Sequence, residues 1–149
     1  MIPANTLVWT TWTINNTISM AAAQANLLAG AQNVNSTITI AVYINGQLAA
    51  HESDRIPSVT LPGQSSPSPV EQTVTITVPM PSGTTLTPGT IVSLAFISST
   101  DINDYFTGTP GVPTLEASVQ ANSGLPSTLP SPTSTVTSTM EIWAYALVR

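Results

Sequence analysis

The feature that most constrains this chain is a period-two alternation of apolar and hydroxyl-bearing residues. The run Thr73-Val74-Thr75-Ile76-Thr77-Val78 sets three branched apolar side chains against three threonines. Successive side chains of an extended chain point to opposite faces, so such a run sorts into one dry and one wet side only as a β-strand. Threonine on the wet side supplies β-propensity and polarity without charge.

Four further stretches read the same way. Thr6 to Ile14 places Val8, Thr10, Trp12 and Ile14 on one face and Leu7 and Trp9 on the other, so both faces carry bulk. Ser36 to Ile44 points Ile38, Ile40, Val42 and Ile44 inward and Thr37, Thr39, Ala41 and Tyr43 outward. Asn45-Gly46 then turns the chain, because both residues tolerate positive φ, and Gln47 to His51 is the expected short return strand. After a turn at Leu86-Thr87-Pro88-Gly89, Thr90 to Ser98 carries Val92, Leu94 and Phe96 on one face and Ile91, Ala95 and Ile97 on the other, the pattern of a central strand. Ser134 to Val148 reads as one long last strand, with Val136, Met140, Ile142, Ala144, Ala146 and Val148 facing one way and Glu141, Trp143, Tyr145 and Leu147 the other.

Between these runs lie Pro57 to Pro69, Pro79 to Pro88, Thr107 to Pro113 and Ser123 to Pro132. Proline cannot donate to a ladder, so these are loops or edges. The Ala-rich segment Ser19 to Ala31 reads either as a short helix capped by Gly30 or as an irregular loop or weak strand. No repeat or linker divides the chain. The expectation is a single all-β domain over residues 1–149, a jelly-roll-like β-sandwich with long Pro/Ser-rich loops. An immunoglobulin-like Greek-key sandwich is the alternative, disfavoured because that fold usually needs about 100 residues.

Charge narrows the function. Charged residues are 6% of the chain, against about 25% in an ordinary soluble domain. There is no Lys, and the net charge is −5 with Arg55 and Arg149 as the side-chain cations. Phosphate recognition needs clustered Lys and Arg, so a nucleic-acid partner is not expected. The carboxylates are Glu52, Asp54, Glu71, Asp101, Asp104, Glu116 and Glu141. So few groups leave little to protonate in acid, a hint of an acid-stable protein, although low charge also accompanies Ser/Thr-rich secreted and appendage proteins.

Catalysis is not expected. One His, no Cys and no Gly-x-Ser-x-Gly elbow leave no activated nucleophile and no Cys-based zinc site. His51-Glu52-Ser53-Asp54-Arg55 is the one charge cluster, read chiefly as a solvated loop with local ion pairs and otherwise as a small metal or acid site. Asp101, Asn103 and Asp104 offer oxygen ligands of the kind Ca²⁺ accepts, but in no EF-hand spacing, so no cofactor beyond that weak calcium candidate is implied. Asn15-Asn16-Thr17 and Asn35-Ser36-Thr37 are glycosylation sequons with Asn15 and Asn35 as acceptors. Trp143 and Tyr145 share a face of the last strand and need a cover: a second sheet or loop of the chain, a subunit interface, or a sugar stacked on them. With Leu147 and Trp9 they form the expected interface set.

No apolar stretch reaches the length of a membrane span, and no basic region precedes an apolar core at Met1. A chain starting at Met1 is then not exported by a cleaved signal, while a mature chain with an added Met looks the same. The Met1-Ile2-Pro3 start, the Lys-free and Cys-free composition and strands such as Thr73 to Val78 resemble surface proteins of viruses of thermoacidophilic archaea, among them capsid, turret and spike subunits. That resemblance implies a jelly roll, which the alternation by itself merely permits. It also implies a structural protein at the virion surface or outside the cell, whose partners are copies of itself and other virion or surface proteins. A carbohydrate-binding or adhesin-like module that meets host glycans, and a filament subunit joined by strand donation, are the alternatives.

Overall fold

The computed structural model describes residues 4–31, 37–55, 72–99, 102–105, 116–121, 124–137 and 144–148. Those residues form twelve strands and no helix: β1 Thr6–Thr13, β2 Ile18–Ser19, β3 Ala22–Ala31, β4 Thr37–Ile44, β5 Gln47–Arg55, β6 Gln72–Pro79, β7 Thr85–Leu86, β8 Ile91–Ser98, β9 Ile102–Tyr105, β10 Glu116–Ala121, β11 Ser134–Thr137 and β12 Ala144–Val148. Every pairing between them is antiparallel.

One sheet has six strands in the order β11-β10-β1-β8-β4-β5. The second is built on β3, which pairs β6 along residues 22–29. Its opposite edge is shared end to end by β12, against residues 22–26, and β9, against residues 28–31. A small third ladder joins β2 to β7.

The larger core lies between the two sheets. Val8, Ile38, Ile40, Val42, Val92, Leu94 and Phe96 of the six-stranded sheet meet Ala23, Ile76 and Val78 of the other, with Ile14, Met20, Met80 and Leu86 closing one end. Apart from Ala23, Met20, Met80 and Leu86, these side chains lie on faces that the alternation sorts out, and burying each large one is worth about 1.5–3 kcal/mol.

Two tight connections follow from local sequence. Asn45 and Gly46 have φ of 50° and 78°, the pair of left-handed residues a two-residue hairpin requires. Asn45 also ties the hairpin tip to β8: its N–H donates to Ile91 O at 2.7 Å and its Oδ1 accepts from Ile91 N–H at 2.9 Å. Thr87-Pro88-Gly89-Thr90 closes with Thr90 N–H donating to Thr87 O at 3.1 Å, Pro at the second position and Gly89 at φ 90°, the chemistry of a type II turn.

Several expectations are corrected. Of the readings open for the Ala-rich segment, the helix fails and the strand holds, as β3 hydrogen-bonded on both edges. Alanine's helix preference is below about 1 kcal/mol per residue, and two ladders of backbone hydrogen bonds outweigh it. The return strand runs to Arg55 rather than His51, with a bulge at Ala49, since Val42 opposes Ala50 while Tyr43 opposes Leu48. The single last strand is two: β11 belongs to the six-stranded sheet and β12 to the other. Ala41 and Tyr43, expected to face outward, are fully buried.

That last correction reveals a second core on the far face of the six-stranded sheet. Leu7, Trp9, Ala41, Tyr43, Ala95 and Ile97 pack there with Leu48, Leu125 and Leu129. The cover is the Pro-rich segment from Gly124 onward, which crosses the sheet as a strap. Leu48 N–H donates to Ser127 O and Leu129 N–H to Gly46 O, each at 2.8 Å. β8 is therefore buried without interruption from Val92 to Ser98, as a strand covered on both faces should be.

Candidate association surface

Among the residues whose exposure is described, the charged side chains are Glu52, Asp54 and Arg55, exposed on β5 beside His51, while Asp104 and Glu116 lie on β9 and β10. The charge cluster is thus a strand, not the loop expected from sequence. β5 ends the six-stranded sheet. Charge on an edge strand discourages a second chain from adding to its open backbone groups, so this edge is protected.

Polarity elsewhere comes from hydroxyl and amide groups that satisfy each other across strands. Thr11 and Ser93 are opposed in the β1–β8 ladder and their hydroxyls lie 2.7 Å apart. Thr39 and Ser53, opposed in the β4–β5 ladder, also meet at 2.7 Å. Gln24 Nε2 donates to Thr77 Oγ1 at 3.1 Å across β3 and β6, and Thr128 Oγ1 donates to Gln47 Oε1 at 3.2 Å between strap and hairpin. Cross-strand pairs of this kind contribute roughly 0.2–1 kcal/mol each. None titrates between pH 2 and pH 9, because neither hydroxyl nor amide ionises there.

The expected interface residues separate. Trp9 is 4% exposed and belongs to the second core, so its indole is covered by the chain itself. Tyr145 and Leu147 lie on β12 opposite Ala25 and Ala23 of β3. Trp143 falls outside the described residues. Trp12, read as sharing a face with Val8 and Ile14, is half-buried and packs against the larger core. Ile91 is the one large apolar side chain reaching 44% exposure among the described residues.

Asn103 and Asp104 lie within β9, opposite Gly30 and Ala29, rather than in a loop, and Asp101 is outside the described residues. Among the described residues no three His, Asp or Glu side chains gather as metal ligands. Asn15 is exposed between β1 and β2, and Asn35 is outside the described residues.

What sequence reasoning missed is the strap. The signal was present in Leu125 and Leu129, two leucines spaced inside a Pro/Ser-rich loop, and in the apolar outward positions Ala41 and Tyr43. Comparison with protein-family models, curated proteins and solved structures finds no match.

Proposed function

We propose that this protein is a non-enzymatic structural subunit of a virion or similar extracellular particle, acting by association with copies of itself through uncharged sheet and loop surfaces. The observation that carries the reading is the scarcity of charge, 6% of the chain with no Lys. Identical copies repel through like charge, and a neutral surface removes that penalty from dense packing. Cross-strand hydroxyl pairing supports the same reading, because it keeps the surface polar in conditions where carboxylates would be protonated. Two antiparallel sheets packed over one core support a jelly-roll-like closure, in keeping with the resemblance to surface proteins of viruses of thermoacidophilic archaea.

A second reading is favoured by one observation. β12 leaves the sheet of β11 and fills half of an edge of β3 whose other half is held by β9. A strand so placed is one that a neighbouring subunit could supply instead, the mode by which donated strands join filaments. Electron microscopy and light scattering of the purified protein test both. Closed particles, rings or arrays support the first, linear filaments the second. A strict monomer that binds a glycan array rejects both in favour of a carbohydrate-binding module.

A further inference from the structure

The segment between β1 and β2 has no part in the reading above, yet its geometry is particular. Ile14 is buried and locked in the sheet end, its N–H donating to Thr90 O at 2.8 Å and its carbonyl accepting from Gly89 N–H at 2.9 Å. Ile18 is half-buried and begins the short ladder with Leu86. Between these anchors the chain makes a three-residue excursion, Asn15-Asn16-Thr17, in which every residue is exposed and none is in a strand.

We infer that Asn15 is a site of N-linked glycosylation. The sequence Asn-Asn-Thr has the required spacing, with no Pro between acceptor and hydroxyl. The structure adds what a sequon alone lacks. The acceptor amide is on the surface, outside any strand ladder, and the Thr17 hydroxyl that a transferase must engage is exposed two residues on. The adjoining turn, Thr87-Pro88-Gly89, is also exposed and uncharged, so a glycan leaving this end of the sandwich displaces no core residue.

The co-substrate is an oligosaccharide linked through phosphate or pyrophosphate to a polyprenyl lipid, delivered by a membrane oligosaccharyltransferase. The Asn15 Nδ2 forms a bond to C1 of the first sugar and gives up one proton. The C1–O bond to the phosphate breaks, and the lipid phosphate or pyrophosphate leaves with the electron pair. No oxidant or reductant is needed.

The test is peptide mass spectrometry of the full chain secreted through a glycosylating compartment. Trypsin is unsuitable, because there is no Lys and the first Arg is Arg55, so both sequons stay on one peptide. Chymotryptic cleavage after Trp12 and at Leu27 or Leu28 isolates Asn15 from Asn35. The expected result is a hexose-bearing adduct on the Asn15 peptide in most chains, kept in Thr17→Ser and lost in both Asn15→Gln and Thr17→Ala. The melting temperatures of the three variants, with glycans removed, should match that of the parent. An unmodified Asn15 peptide in folded, secreted protein, alongside a control sequon protein that is modified, would overturn the inference, as would an adduct confined to Asn35.

Discussion

The phenol of Tyr43 donates a 2.7 Å hydrogen bond to the carbonyl oxygen of Pro126, tying a fully buried side chain of β4 to the strap that buries it. The bond joins residues far apart in sequence and fixes a Pro-rich segment with no strand ladder of its own over an apolar face. Burial pushes the Tyr43 phenol up to about 12 from its ordinary 10. Removing the hydroxyl in Tyr43→Phe should cost about 0.5–1.5 kcal/mol, the net worth of such a bond, measured by urea unfolding at pH 7.

The same shift predicts a pH dependence. Below pH 10 the phenol is protonated in both folded and unfolded chains, and its contribution is fully present. Above 10 the unfolded chain releases the proton while the folded one holds it, so stability falls as pH rises toward about 12. Unfolding midpoints between pH 9 and pH 12 should decline through that window in the parent, and decline less in Tyr43→Phe.

Trp9 is an anchor of the second core rather than a surface platform. Trp9→Ala should destabilise the fold by about 3–5 kcal/mol, as large aromatic truncations in cores do. Leu129→Ala, on the half-buried strap, should fall near the lower end for leucine, about 2 kcal/mol. A Trp9→Ala effect below about 1 kcal/mol would mean that the strap does not cover this face in solution.

The turn glycines give an internally controlled pair. Gly89 has φ 90° while Gly124 has no such constraint, and open space surrounds the position a Cβ would take at both. Gly89→Ala should therefore cost about 1–3 kcal/mol from backbone strain alone, whereas Gly124→Ala should stay within about 0.5 kcal/mol. Thermal unfolding of the two variants side by side separates strain from crowding.

The hydroxyl pairs predict a coupling that ignores ionic conditions. A double-mutant cycle on Thr39 and Ser53, using Thr39→Val and Ser53→Ala, should give roughly 0.2–1 kcal/mol. Its value should be the same at pH 3 and pH 7 and at low and high salt, unlike that of an ion pair.

Much of this fold was legible because alternation reports burial directly. The inward rows of β1, β4, β6 and β8 follow from Val8, Ile38, Ile40, Val42, Ile76, Val78, Val92, Leu94 and Phe96, and the hairpin from Asn45-Gly46. What escaped has a physical reason in each case. Ala22 to Ala31 carries a weak helical preference that only long-range pairing reverses. Ser134 to Val148 alternates throughout, and alternation does not mark where a chain changes sheets. Ala41 and Tyr43 looked solvent-facing because period-two reading assumes one wet face, and a loop that covers a sheet leaves no periodic trace. The charge cluster was recognised as a unit, but its Ser and Asp residues suggested a loop where pairing with Thr37 to Ile40 makes a strand.

The central claim is association through neutral surfaces, and sedimentation velocity tests it most directly. Measured at micromolar concentration, at pH 7 and pH 3 and at low and high salt, the protein should sediment as the same oligomer or particle in all four conditions, because no ion pair holds the copies together. A monomer in every condition would contradict the claim, and so would an assembly that salt or acid dissolves.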